Sequence, residues 1–156
     1  MKKSLGLLLL GFIFVLGINT AAYTGISDIA ELVDTFQKAT DLQRNQILQD
    51  NLGQEISTSG IVSNVSEYNF FNTASDSGKT YFQASTELQK TKINTPYEVI
   101  FLFKDKDKIK DINKGWTMQQ SGKIIRILDE RLQITVWLLC ADLTEDDKTL
   151  FSQTIE

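Results

Sequence analysis

The chain has 156 residues, 42% of them hydrophobic and 23% charged, with nine glycines, one proline and one cysteine. This fits a single globular domain and excludes collagen-like, low-complexity and disulfide-stapled classes. No histidine is present, which removes the commonest general base and the commonest transition-metal ligand.

Residues 1–22 read as an export signal. Lys2 and Lys3 supply a positive start, residues 5–18 carry no charge and are rich in Leu, Ile, Phe and Val, and Thr20-Ala21-Ala22 suits cleavage after Ala22. The apolar run is shorter than the roughly 20 residues of a membrane-spanning helix. An uncleaved anchor needs residues 19–23 to be recruited into it. No cysteine follows the run, so a lipidated N-terminus is not expected. Losing Lys2 and Lys3 leaves 14 basic against 20 acidic residues, and the net charge moves from −4 to −6. Such a balance disfavours a polyanion ligand, because nucleic-acid affinity comes largely from Lys and Arg.

A helical cap is expected over residues 23–53. Residues 27–38 form one helix, capped by Ser27, with Asp28 and Glu31 in its first turn and an apolar stripe of Ile29, Leu32, Val33 and Phe36. Thr40 and Gln43 have capping-box spacing for a second helix running to about Asp50. Leu42, Ile47 and Leu48 are expected to point inward, and Gly53 suits the exit.

From Gln54 the period shortens. Residues 55–65 read as a long strand with a bend or bulge at Gly60, and residues 72–78 as a turn-rich loop. Residues 80–86 make a second strand and 97–104 a third, strongly apolar one begun by Pro96. Residues 105–113 are expected to form a short charged helix, with Ile109 and Ile112 inward and Gly115 as its stop. Strands over 116–128 and 131–140 follow, and in the last Leu132, Ile134, Val136, Leu138 and Cys140 alternate. The order β-β-β-α-β-β over residues 54–143 is that of the five-stranded OB-fold barrel. Residues 144–156 are left as a tail or short helix, started by Thr144, Glu145, Asp146 and Asp147, whose Leu150 and Phe151 cover an open end of the barrel.

A resemblance enters with residues 43–65 and the later Ile112-Asn113-Lys114-Gly115-Trp116 and Ser121-Gly122-Lys123-Ile124. The chain resembles the tRNA-anti-like group of bacterial OB-fold domains, in which a helix leads through a glycine into G-x-V-x-x-V. Gly60, Val62 and Val65 match that pattern. Lys114-Gly115 and Gly122 match the later glycine element, with Trp116 standing where the pattern has Asp. The resemblance implies an OB-fold and, through its exported members, extracytoplasmic binding. It carries no catalytic residues, and its nucleic-acid association is not carried over.

No chemical motif survives inspection. Ser77-Gly78-Lys79-Thr80 looks like the end of a phosphate loop, but Thr73 occupies the position of its first glycine and a strand follows where a helix is needed. Asp105, Asp107 and Asp111 lack a calcium loop's turn glycine, and Ile109 stands where a ligand is required. Cys140 ends the apolar side of a strand with no histidine to activate it, and reads as core. Neither a metal nor a cofactor is expected.

The aromatics carry the remaining signal. OB-fold ligands lie across strands two and three, between the loops joining strands one to two and four to five. With Phe82 and Ala84 inward, Tyr81, Gln83 and Ser85 face out, and the flanking loops begin at Phe70-Phe71 and cover residues 128–131. The expected site is stacking on Tyr81 with Phe70 at its edge and hydrogen bonds from Gln83, Glu98 and Arg131. Trp137, on the opposite register, is expected against the leading helices. These features describe an exported or membrane-tethered bacterial binding module, not an enzyme, whose ligand is a protein, peptide or saccharide. Membrane contact is expected only through the N-terminal segment. Two other classes remain open: a single-stranded nucleic-acid binder, which needs a basic groove, and a small envelope hydrolase, which needs two carboxyls with split pKa values in a cleft.

Overall fold

A computed structural model describes residues 28–69, 80–130 and 132–152. The leading helices are α1 (Ile29–Lys38) and α2 (Asp41–Asn51). Asp28 caps α1 by accepting from the Ala30 amide at 2.9 Å, so the cap sits one residue later than the expected Ser27, which lies outside the described residues. The stripe of Ile29, Leu32, Val33 and Phe36 is wholly buried, as its spacing predicts. At α2 the Thr40 amide donates to Gln43 Oε1 at 2.9 Å, completing the capping box. Leu42 departs from expectation and is 82% exposed. At 100° per residue it lies about 120–140° around the helix from the buried Ile47 and Leu48.

The strands are β1 (Glu55–Asn69), β2 (Thr80–Thr86), β3 (Gln89–Lys90), β4 (Pro96–Phe103), β5 (Thr117–Glu130) and β6 (Gln133–Leu139). They form one mixed sheet. The fifteen residues of β1 serve two partners, pairing with β5 from Glu55↔Lys123 to Ile61↔Thr117 and with β2 from Val62↔Thr86 to Asn69↔Thr80. Close to that exchange β1 carries an irregularity between Val62 and Asn64, two residues beyond the expected site at Gly60. Gly60 is instead a point of close approach: a Cβ there would lie 2.6 Å from Thr86 Cγ2. β2 pairs with β4, β4 runs parallel to β6, and β6 returns antiparallel to β5. Five strands thus close a ring of hydrogen bonds, with β3 attached outside it along β4.

The helix expected over residues 105–113 is not formed. Only a 3₁₀ turn, Lys106–Lys108, stands there, built on i→i+3 bonds from Lys108 N to Asp105 O and Ile109 N to Lys106 O. Asp105 caps it through the Asp107 amide, and Lys106 and Lys110 are like charges at i,i+4 spacing, which disfavours an α-helix. Ile109 is nonetheless buried, as expected.

β4 and β6 are apolar on both faces, as suits adjacent parallel strands covered on each side. Tyr97, Val99, Phe101 and Phe103 join Ile134, Val136 and Leu138 in a core completed by α1 and α2. Ile100 and Leu102 join Trp137, Leu139, Ile125 and Tyr81 in a second core, to which α3 (Glu145–Ser152) contributes Phe151. Trp137 therefore packs in this second core, away from the leading helices, and the Arg126 guanidinium lies 5.2 Å from the centroid of its ring. Burying each large apolar side chain contributes about 1.5–3 kcal/mol. No helix among the described residues is long and apolar enough to cross a membrane.

Candidate functional site

Of the five residues expected to form a site, Phe70 and Arg131 lie outside the described residues, as does the phosphate-loop-like run through Lys79. Tyr81, Gln83 and Glu98 do share the expected face, but they do not converge. Phe82↔Phe103 pairing puts Tyr81 level with Lys104, six residues along β4 from Glu98. At about 3.3 Å per residue the separation is roughly 20 Å.

Tyr81 is 1% exposed, so it offers no ring face for stacking. Its hydroxyl donates to Asp147 Oδ1 at 2.7 Å and its ring packs against Phe151, 5.8 Å between centroids. The sequence places Tyr81 on the correct face of β2 but does not show that α3 lies over it. Burial, then the bond to Asp147, pushes its phenol well above the ordinary range. Asp147 is equally buried. Burial alone would raise its pKa, but the Lys104 ammonium at 2.7 Å, the amide and hydroxyl of Thr144 and the Tyr81 hydroxyl together hold it well below the usual carboxylate range. The sequence marked this helix start by Thr144 as the cap and by the acidic residues 145–147 of the first turn. A cavity of about 370 Å³ lies beside the cluster, lined by Thr80, Tyr81 and Lys104 on one side and Thr144 and Asp146 on the other.

Gln83 is half-buried and donates through Nε2 to Ser66 Oγ at 3.0 Å. Glu98, also half-buried, meets Glu130 around one hydroxyl: Thr135 Oγ1 is 3.1 Å from Glu130 Oε2 and 3.5 Å from Glu98 Oε1. A single hydroxyl hydrogen serves one of these acceptors at a time. Burial, followed by the charge of Glu130, raises the Glu98 pKa, and the hydrogen bonds from Gln133 and Thr135 only partly oppose them. Three strands bring this pair together, so no local motif announces it. Cys140 is a partly buried thiol whose pKa burial pushes up to about 12. Among the described residues no group of three His, Cys, Asp or Glu is placed to hold a metal ion.

A concavity along the leading helices was missed at the sequence level. A groove of about 820 Å³ runs along α1 and α2 to the turn before β4. Asp28, Glu31, Asp34 and Asp50 line it against Lys38 and Lys92, over an apolar patch of Ala39 and Ile47. Asp28, Glu31 and Asp34 recur every three residues, a stripe along one side of α1. Asp34 Oδ1 is buried with no hydrogen-bond partner, and the same two aspartates, Asp28 and Asp34, add to burial in raising the Tyr97 phenol pKa.

The next residues on both walls continue the concavity. Gln37, adjoining Lys38, and Ile93, adjoining Lys92, line a second groove of about 360 Å³ with Pro96, Leu132 and Asp129. Here Leu132 is 86% and Ile93 50% exposed. Leu132 was expected to point inward, but it occupies the hairpin tip before β6 begins at Gln133, where strand alternation does not apply. Arg44 steadies this end: it donates to Phe36 O at 3.1 Å, lies over the Phe36 ring at 5.3 Å and pairs with Asp129 at 2.9 Å. Compared with known proteins, the chain matches no family model and no curated protein.

Proposed function

We propose that the chain is an exported, non-catalytic bacterial binding module on a five-stranded OB-fold, related to the tRNA-anti-like group, and that its ligand is a peptide segment of another protein. The closed ring of five strands supports the OB-fold reading. Lys2-Lys3, the uncharged run and the small residues before Tyr23 support export. One observation carries the ligand class: an acidic groove on α1 and α2 lies beside a mixed polar and apolar one that bears the exposed side chains of Leu132 and Ile93. A basic residue beside an apolar one fits this pair of surfaces better than a saccharide or a phosphate backbone does.

Binding of a short alternating Lys-Leu peptide, followed by fluorescence anisotropy, tests the ligand class. Glu31→Lys and Leu132→Asp change exposed side chains, one in each groove, and each is expected to weaken binding about tenfold. Preference for an oligosaccharide or a dT oligonucleotide, or indifference to both substitutions, refutes it. Export predicts a mature N-terminus at Tyr23, read by mass spectrometry of the exported protein.

A further inference from the structure

Far from those grooves, at the opposite end of β4, α3 docks through Asp147 and Phe151, one helical turn apart. Asp147 accepts from Lys104 Nζ, Tyr81 Oη and both the amide and hydroxyl of Thr144, all at 2.7–2.8 Å. Phe151, four residues on and so on the same side of the helix, is buried against the ring of Tyr81. Lys104 also donates to Asp142 O at 2.6 Å, tying down the connection into α3. Eight residues make a helix well short of the length, about 12–15, at which an isolated helix becomes even marginal in water. Docking therefore supplies its order. Asp147 is buried while Lys104 is about a third exposed, and removing the partner of a buried carboxylate is strongly unfavourable, so the notch favours an occupant that brings a carboxylate to Lys104. The adjoining cavity of about 370 Å³ leaves room along Thr80 and Lys104.

We propose that the notch formed by Lys104 and Tyr81 is a helix-docking site, occupied in cis by α3, which takes in trans a partner helix carrying a carboxylate and a phenylalanine four residues apart. Undocking α3 uncovers Tyr81 and the apolar side chains beside it in the second core, so α3 acts as a strap that an incoming acidic-aromatic helix displaces. The depressed Asp147 pKa keeps the strap closed at physiological pH, because its ion pair is complete above the ordinary carboxylate range. Competition, not acidification, opens it. This site shares no residue with the grooves above, so its failure or success leaves the peptide-groove reading untouched.

The probe is a labelled, end-capped peptide of residues 142–152, added to the full chain and followed by anisotropy. Asp147→Asn in the protein loosens the strap and is expected to bind the peptide at least tenfold more tightly than the wild-type chain. Adding Lys104→Met to that variant abolishes binding, and a peptide carrying Asp147→Asn does not bind. Equal binding by wild type and Asp147→Asn, or indifference to Lys104→Met, overturns the proposal. Hydrogen exchange of the wild-type chain gives an independent readout should Asp147→Asn not fold. Amides of α3 that exchange while β2 and β4 stay protected support the strap. Exchange of α3 only together with the sheet overturns it.

Discussion

Replacing Gly60 with alanine tests how the ring closes. Gly60 lies at the end of the stretch of β1 paired with β5, just before β1 takes up β2. An added Cβ would meet Thr86 Cγ2 at 2.6 Å, Gln89 Nε2 at 2.8 Å and Thr86 Cβ at 2.9 Å. Gln89 can swing its amide away, at the cost of its bond to Ser59 O and the one it accepts from the Tyr97 hydroxyl. Thr86 cannot move freely, because it is buried and its Oγ1 accepts from the Val99 amide at 3.0 Å. Overpacking of this kind costs about 1–3 kcal/mol, and a weakened Thr86 bond adds about 1 kcal/mol. Reduced freedom of the unfolded chain offsets about 0.4–1 kcal/mol. The net loss is about 2 kcal/mol, readable as a lowered midpoint in urea with an unchanged slope. Thr86→Ser keeps the hydroxyl and deletes the clashing methyl, so in the double variant the two losses fall short of additivity by about 0.5–1 kcal/mol. A Gly60→Ala protein within about 0.5 kcal/mol of wild type, or strict additivity with Thr86→Ser, would refute the argument.

Glu98→Gln is expected to stabilise the protein at neutral pH. Burial and the Glu130 charge raise the folded-state pKa above the ordinary 4.5, so this carboxyl's stabilising contribution is complete below that value and is lost as pH rises through the folded pKa. The gain in Tm over wild type should vanish at pH 4, and an equal gain at pH 4 and pH 7 contradicts the assignment. Arg44→Met removes the bond to Phe36 O, the stacking on Phe36 and the pair with half-exposed Asp129, costing about 1–2 kcal/mol in denaturant melts. A loss below about 0.3 kcal/mol means the three contacts contribute nothing net. With its pKa near 12, Cys140 should resist iodoacetamide at pH 8 and react at once when unfolded in guanidinium. Rapid labelling of the native chain would show the thiol to be accessible.

The parts of the fold legible in the sequence are those fixed by neighbours within a few residues. Capping at Thr40 needs only Gln43, the α1 stripe needs only its own turns, and β2 begins and ends at Thr80 and Thr86 as its residue types predict. Alternation in β6 likewise put Ile134, Val136 and Leu138 on one face and Trp137 on the other. The same local logic misplaced Leu42 and Leu132, both at element ends where a period has too few residues to set direction. It also extended a charged 3₁₀ turn into a helix, since composition does not distinguish i→i+3 from i→i+4 bonding.

The candidate sites depended on distance in sequence. Tyr81 has the right register for a ligand face, yet a helix more than sixty residues later buries it through Asp147 and Phe151. Glu98 and Glu130 meet only because β4 and β5 flank β6, which carries Thr135 between them. The second groove exists because the turn before β4 meets Gln37 of α1 and Leu132 and Gln133 of the β5–β6 hairpin around one concavity. From the sequence alone came the export pattern, the acidic balance and the faces of β2, β4 and β6, because charge, periodicity and capping act locally. Tertiary structure decided which faces stay open, since covering a face takes apolar surface and ionic partners from elements far along the chain.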